Sequence, residues 1–328
     1  MTYACESIAD MAEPLLEIRG LTVRYGSRLA VWNVDLALRP GEVLGLCGES
    51  GAGKSTVGRA VVRLLPDSAR VVAGAVRFKG RDLLAVTEAE MRALRGADLA
   101  LIPQDPLSAL NPAFRVGLQA TDALRLHRGL SRRDAEVQMA RLLGRMGIPG
   151  PAELLLRYPH ELSGGMRQRV LIAMAFSCEP SLVIADEPTT ALDVTTQAQI
   201  LRILEGLRAE RGVASLFVTH DLGVVAHVAH TVAIVYAGCL VEVAPTVALF
   251  GSPAHPYTQA LLAQVPRADR RAEAEGSLEG WMPVLHEAPR ACPFRERCPK
   301  RAAACDEAMP DLREIAPGHR VACHLYGQ

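Results

Sequence analysis

Residues Gly48–Thr56 read GESGAGKST, a full match to the pattern Gly, four residues, Gly-Lys-Ser/Thr. Bare glycines let backbone N–H groups face phosphate oxygens without side-chain obstruction. The helix expected to open near Gly53 adds the positive end of its dipole. Lys54 is long enough to reach β- and γ-phosphates, and Ser55 offers a hydroxyl to Mg²⁺. Gly48, Ser50, Gly51, Gly53, Lys54, Ser55 and Thr56 are therefore the candidate phosphate-binding residues. A glycine-rich turn can match by chance, but the flanks argue against it. Glu42–Cys47 (EVLGLC) suits a strand buried on both faces, and Lys54–Leu65 is apolar at helical spacing.

Working outward, Ser181–Pro188 (SLVIADEP) is a second buried strand, and it delivers Asp186 and Glu187 to its C-terminal edge, where α/β sheets bind ligands. An Asp-Glu pair at a strand end is often only solvated. Beside a phosphate loop, Asp186 suits a Mg²⁺ shell and Glu187 is placed to polarise an attacking water. Further strands are expected at Leu15–Val23, Val34–Leu38, Ala214–Thr219 and Thr231–Tyr236, with a helix over Thr196–Glu210. Residues from about 87 to 165 are rich in Ala, Leu and Arg at helical spacing and read as a helical insertion. Strands alternating with helices imply a mainly parallel sheet covered by helices.

The totals exclude several classes. The 328 residues carry 36 Lys+Arg against 36 Asp+Glu, which argues against a general nucleic-acid grip, and aromatics at 4% provide no stacking platform. The longest late apolar run, Thr231–Val241, falls well short of the about 20 residues a membrane helix needs. The first residues, MTYACESIADMAEP, show no basic segment followed by an apolar stretch. Cys5, Cys47, Cys178 and Cys239 are scattered and read as ordinary core or surface thiols. Cys292, Cys298, Cys305 and Cys323 crowd the last 40 residues.

Leu162–Arg169 (LSGGMRQR) narrows the field. Here the chain resembles the ATP-binding cassette (ABC) ATPases, whose signature is LSGGQ; Met166 departs from the commonest form. Ser163, Gly164 and Gly165 present a hydroxyl and bare N–H groups at the start of an apolar helix, a second anion-binding helix end in one chain. The resemblance implies head-to-tail dimers, with one subunit's signature closing over the γ-phosphate on the other's phosphate loop. It also implies that Tyr25 stacks on adenine, that Gln104 links the nucleotide and its Mg²⁺ to a membrane subunit, and that Asp193 lines the dimer interface. His220 would contact the γ-phosphate. Taken alone, Tyr25 and His220 could equally be structural. The implied fold is α/β: a RecA-like parallel-sheet core with an N-terminal antiparallel β element, over residues 14–265, and a small Cys-rich C-terminal extension over 266–328.

QDPLSALNPAFRVG (Gln104–Gly117), DEPTTALDVTTQAQIL (Asp186–Leu201), THDLGVVA (Thr219–Ala226) and FGSPAHPYTQALL (Phe250–Leu262) are similar to the D-type ATPase of the oligopeptide/dipeptide/nickel importers. That resemblance implies a second, F-type ATPase as heterodimer partner, two transmembrane permease subunits, an external substrate-binding protein, and a peripheral place on the cytoplasmic face of the membrane. The implied cargo is a di- or oligopeptide; nickel or a metal chelate is the alternative, because cargo never touches this subunit. A soluble ABC ATPase acting on DNA or ribosomes fits less well, since such proteins carry two cassettes or long insertions. A redox-sensing module with secondary ATPase activity is a further rival. In the tail, five, six and seventeen residues separate successive cysteines. The tail resembles an extension associated in some members with an iron–sulfur cluster, and four thiolates suit [4Fe–4S] or Zn²⁺. Free thiols or a disulfide are the other options. His319 and His324 are spare ligands or simply surface residues.

Overall fold

The computed structural model describes residues 13–190, 193–265 and 279–326. Strands β1 (Leu16–Tyr25) and β2 (Arg28–Leu38) pair antiparallel, Leu16 opposite Leu38 and Tyr25 opposite Arg28. Their alternation turns Leu16, Ile18, Leu21 and Val23 inward beside Val31, Val34, Leu36 and Leu38. Strand β3 (Val43–Cys47) is buried at every position and runs into the glycine-rich turn and helix α1 (Lys54–Val61). The helix stops short of Leu65 because Arg63 takes left-handed backbone, φ 52°, before Pro66. Strands β4 (Ala69–Phe78) and β5 (Arg81–Asp82) complete a four-stranded antiparallel sheet in the order β2-β1-β4-β5.

Helix α2 (Glu88–Leu94) starts in a capping box between Thr87 and Glu90. The chain then forms β6 (Leu99–Ile102), a strand inside the span expected to be helical. Next come α3 (Pro106–Ala109), α4 (Val116–Ala120), α5 (Asp122–Arg128), α6 (Arg132–Arg145), α7 (Pro151–Leu154) and α8 (Gly164–Phe176). On α6, Ala135, Met139, Leu142 and Leu143 fall on one face and bury it against Val170 and Leu171 of α8.

Strand β7 (Leu182–Asp186), helix α9 (Val194–Arg211), strand β8 (Ala214–Thr219), helix α10 (Leu222–Val228) and strand β9 (Thr231–Tyr236) alternate as expected. Strand β10 (Cys239–Pro245) hairpins back, and α11 (Thr246–Gly251) and α12 (Pro256–Ala263) follow. After residue 279 come α13 (Ala304–Glu307), β11 (Arg313–Ala316) and β12 (His319–Val321). The second sheet has eight strands, β11-β12-β10-β9-β3-β8-β7-β6, parallel from β9 to β6.

Helix α1 lies between the sheets: Val57, Ala60 and Val61 share one core with Leu21, Val31 and Val76 on one side and Leu44, Ile184 and Val218 on the other. The insertion and α8 cover the opposite face of the parallel strands. A third core joins residues after 279 to β9 and α12. In it Phe294 meets Tyr236 and Tyr257 at ring distances of 5.2 and 5.4 Å. Fully burying such a ring contributes about 2–3 kcal/mol.

The C-terminal residues therefore share the core's sheet. Buried Glu242 of β10 accepts from the Ala254 and His255 N–H groups and pairs with His319 Nε2 at 2.7 Å. His319, which its sequence context leaves at the surface, is 5% exposed and tied to this carboxylate; His324 is half-buried. Cys5 and most of the charged stretch Arg267–Gly280 lie outside the described residues.

Candidate functional site

The loop between β3 and α1 threads past two backbones. A Cβ on Gly48 (φ 152°) would lie 2.2 Å from the Val235 carbonyl oxygen, and one on Gly53 (φ 102°) 2.3 Å from that of Ala30. Both positions therefore need glycine. The buried Lys54 ammonium donates to the Gly48 and Glu49 carbonyls at 2.8 and 2.9 Å. Burial pulls the Lys54 pKa down, while Glu187, Cys47, Asp186 and Glu49 oppose the shift. Cys47 beneath the loop is pushed up to about 12 by burial, which makes it an inert thiol.

Asp186 ends β7 and accepts from Ser55 Oγ at 2.6 Å, with Arg59 Nη2 at 3.8 Å from its other oxygen. Burial raises the Asp186 pKa; the Ser55 bond and Arg59 pull it back. These two hard oxygens side by side fit Mg²⁺, which binds through one or two carboxylate or hydroxyl oxygens, phosphate and retained waters.

Glu187 follows with left-handed backbone, φ 48°, a strained geometry in a non-glycine residue. Its Oε2 accepts from Gln104 Nε2 at 3.0 Å and Thr190 Oγ1 at 2.8 Å, and His220 Nδ1 lies 3.3 Å away. The catalytic trio expected from sequence, Glu187, Gln104 and His220, is thus gathered at one carboxylate. Gln104 thus touches Glu187, whereas Ser55 is the residue bonded to Asp186. A cleft of about 350 Å³ opens here, lined by Tyr25, Lys54, Ser55, Thr56, Gln104 and Glu187 among others. Arg28 and Ala30 also line it. Neither sits in a recognisable motif; only their closeness to Tyr25 could have pointed to them. Tyr25 Oη approaches Thr56 Oγ1 at 3.4 Å.

The second anion-binding end stands apart. Ser163 caps α8 by accepting from the Met166 N–H at 3.3 Å, and Asp193 caps α9 by accepting from the Thr196 N–H at 2.9 Å. Their helix starts are neighbours, since a Cβ on Gly165 would lie 3.0 Å from Thr196 Cγ2. Ser163, Gly164 and Asp193 are exposed and do not line the cleft. The signature residues and Asp193 thus lie outside the cleft that the phosphate loop lines.

Burial and neighbouring thiols push Cys292 up to about 11 and raise Cys298 and Cys323. Even so, among the described residues no group of three or more His, Cys, Asp or Glu side chains is arranged to hold a metal ion. Of the expected metal set, Cys292 and Cys305 are buried and Cys298 and Cys323 are partly buried.

Comparison with known proteins settles what kind of site this is. Residues 31–190 match the family model described as ABC transporter, and residues 241–305 match the model for the oligopeptide/dipeptide transporter C-terminal region. The chain is 44% identical over 321 residues to the dipeptide transport ATP-binding protein DppD of Bacillus subtilis (strain 168), covering 96% of each chain. The chain belongs to the ABC transporter ATP-binding family. To the probable peptide ABC transporter ATP-binding protein y4tR of Sinorhizobium fredii this ABC ATPase is 47% identical, covering 95% of each. Its structure resembles the dimeric, ADP- and phosphate-bound cassette MJ0796 with a TM-score of 0.64 and 25% identity, over 70% of this chain and 98% of that one. As an ABC ATPase of the oligopeptide/dipeptide branch, the chain binds ATP with Mg²⁺ and hydrolyses it.

Proposed function

We propose that this ABC ATPase powers import of di- and oligopeptides across the cytoplasmic membrane. The observation that carries the motor reading is the shared carboxylate: Glu187 held by Gln104 and Thr190, beside His220, at the mouth of the phosphate loop. The peptide cargo rests on the relatives, which are named for dipeptide or peptide transport. None of the reported likenesses favours the nickel alternative.

In this reading, loop N–H groups and Lys54 take the phosphates, Lys54 giving up its two carbonyl partners. Mg²⁺, held by Ser55 and Asp186, would neutralise charge on the phosphate oxygens. Glu187 orients and deprotonates the attacking water, His220 reaches toward the γ-phosphate, and catalysis is mostly positioning and charge stabilisation. Ser163, Gly164, Gly165 and Asp193 serve the partner's nucleotide in a head-to-tail pair with a second, F-type ATPase. Their outward exposure supports that role. A groove of about 490 Å³, lined by Phe114, Leu118, Val137, Leu156 and Tyr158, lies on the insertion. Phe114 and Leu156 are 49% and 62% exposed, and the groove would seat a permease subunit on the cytoplasmic face. The span 14–265 then acts as motor, with 87–165 as its insertion and 266–328 as an extension. Cys292, Cys298, Cys305 and Cys323 would hold an iron–sulfur cluster in that extension; iron and acid-labile sulfide assays on anaerobically purified protein decide it. No step of the cycle draws on such a cluster.

The test is ATPase activity of the complex reconstituted with permeases, second ATPase and binding protein. Stimulation by a peptide mixture, lost in Glu187→Gln, is expected. Stimulation by nickel or a chelate instead would overturn the cargo.

A further inference from the structure

The phosphate loop is held from outside by the C-terminal extension. Glu49, the second residue of the loop, has all its polar groups engaged. Its N–H donates to Tyr257 Oη at 2.9 Å, its carbonyl accepts from Lys54, and its carboxylate takes Arg297 Nη1 and Nη2 at 2.8 and 3.0 Å. The Arg297 fork is bidentate, the strongest geometry for such a pair. The Arg297 side chain is 5% exposed although it comes from a surface extension. It is itself held in place: Nε donates to the Glu279 carbonyl at 3.0 Å, Nη1 approaches Tyr236 Oη at 3.3 Å, and the guanidinium stacks 5.7 Å from the Tyr236 ring. A second contact from the same extension lies beside it. Met282 Cε would be 3.6 Å from a Cβ on Gly51, and its sulfur accepts the Ala237 N–H.

Glu49 faces a chemical conflict. Its carbonyl and amide belong to a loop built to receive a tri-anion, yet its side chain is an anion. Unpaired, that carboxylate would repel the phosphates and swing freely, loosening the loop whose N–H groups must converge. A paired, pinned carboxylate does neither.

We propose that Arg297 is a positioning residue for ATP binding, acting through Glu49: it neutralises and locks the one acidic side chain of the phosphate loop. The inference rests on the ATP-site reading above and extends it to a residue 248 positions away in sequence. Arg297 closes the short helical turn Arg295–Arg297 and immediately precedes Cys298.

The experiment measures ATP dissociation constants for the full-length chain by fluorescent-nucleotide competition, with thermal melts as a fold control. Arg297→Ala weakens ATP binding about tenfold, the size expected for losing a partly buried charged pair. Arg297→Lys, which keeps the charge and loses the fork, falls between it and the parent. Adding Glu49→Gln to Arg297→Ala makes binding no weaker than Arg297→Ala alone, because both act through one pair. If Arg297→Ala does not fold, Arg297→Lys and Glu49→Gln probe the same pair from its two ends. An Arg297→Ala protein that binds within about twofold of the parent overturns the proposal, as do losses that multiply in the double variant. If the parent binds no ATP, or binds it as well with Lys54→Ala, the ATP-site reading itself has failed; that result is separate because it concerns proteins with Arg297 intact.

Discussion

Gln104 Nε2 donates to Glu187 Oε2 at 3.0 Å, joining the segment after β6 to the residue after β7. Gln104 lies within the insertion, between β6 and α3, so whatever moves the helices after it moves the donor that aims the Glu187 carboxylate. The strained backbone of Glu187 and its Thr190 bond leave that carboxylate few other orientations.

Replacing Glu187 by Gln removes the base and leaves the shape. ATP affinity stays within about threefold while hydrolysis falls about 10²–10³-fold, as expected for loss of a general base. Steady-state turnover beside nucleotide binding checks this, and unchanged turnover would refute the role given to Glu187.

Gln104→Glu sets a second carboxylate against the first. Like charges in contact repel, so the Glu187 carboxylate loses the donor that aims it and is pushed from its position. Steady-state turnover of the variant falls at least about tenfold relative to the parent while the protein still binds ATP. Unchanged turnover would separate Gln104 from the base.

His255 is buried, caps α12 through Nδ1, and is held neutral, with burial pulling its pKa from 6.5 to about 3. Between those values the unfolded chain binds the proton and the folded chain does not, so acid favours unfolding. From about pH 7.5 to about pH 5.5 this one group removes about 1.4 kcal/mol of stability. Urea titrations at both pH values measure it; His255→Asn, still able to cap, is less stable but has a smaller pH dependence.

Glu242→Ala strands the Ala254 and His255 N–H groups and leaves His319 without its partner. Loss of a buried acceptor with several donors costs about 3 kcal/mol. Denaturation midpoints of the variant and of Glu242→Gln, which keeps part of the network, give the comparison.

Strands β3, β7, β8 and β9 are legible in the sequence because strands buried on both faces are continuous apolar runs. The phosphate loop, the Asp186–Glu187 pair and His220 could be read for a related reason, since each sits at the tip of such a strand. Strand β6 was hidden: LALI is as good a helix fragment as a strand, and only parallel pairing with β7 decides it. In β10, Glu242 reads as a surface charge until its three donors, all distant in sequence, are in place. The Arg297–Glu49 pair and the true environment of His319 are likewise tertiary contacts that no local spacing encodes.

The pairing of β12 with β10 has a consequence for how the protein is made. His319 lies 77 residues beyond Glu242, so at about 5–20 residues per second the ribosome delivers it on the order of 4–15 s later. Throughout that interval the outer rim of β10 is an open template, with a carboxylate facing an unfilled slot. Strand rims of this kind recruit other chains. Until the histidine arrives Glu242 has only the Ala254 and His255 N–H groups for partners, and its charge disfavours docking of a foreign apolar strand. The same residue thus serves as gatekeeper in the nascent chain and as clasp in the finished one.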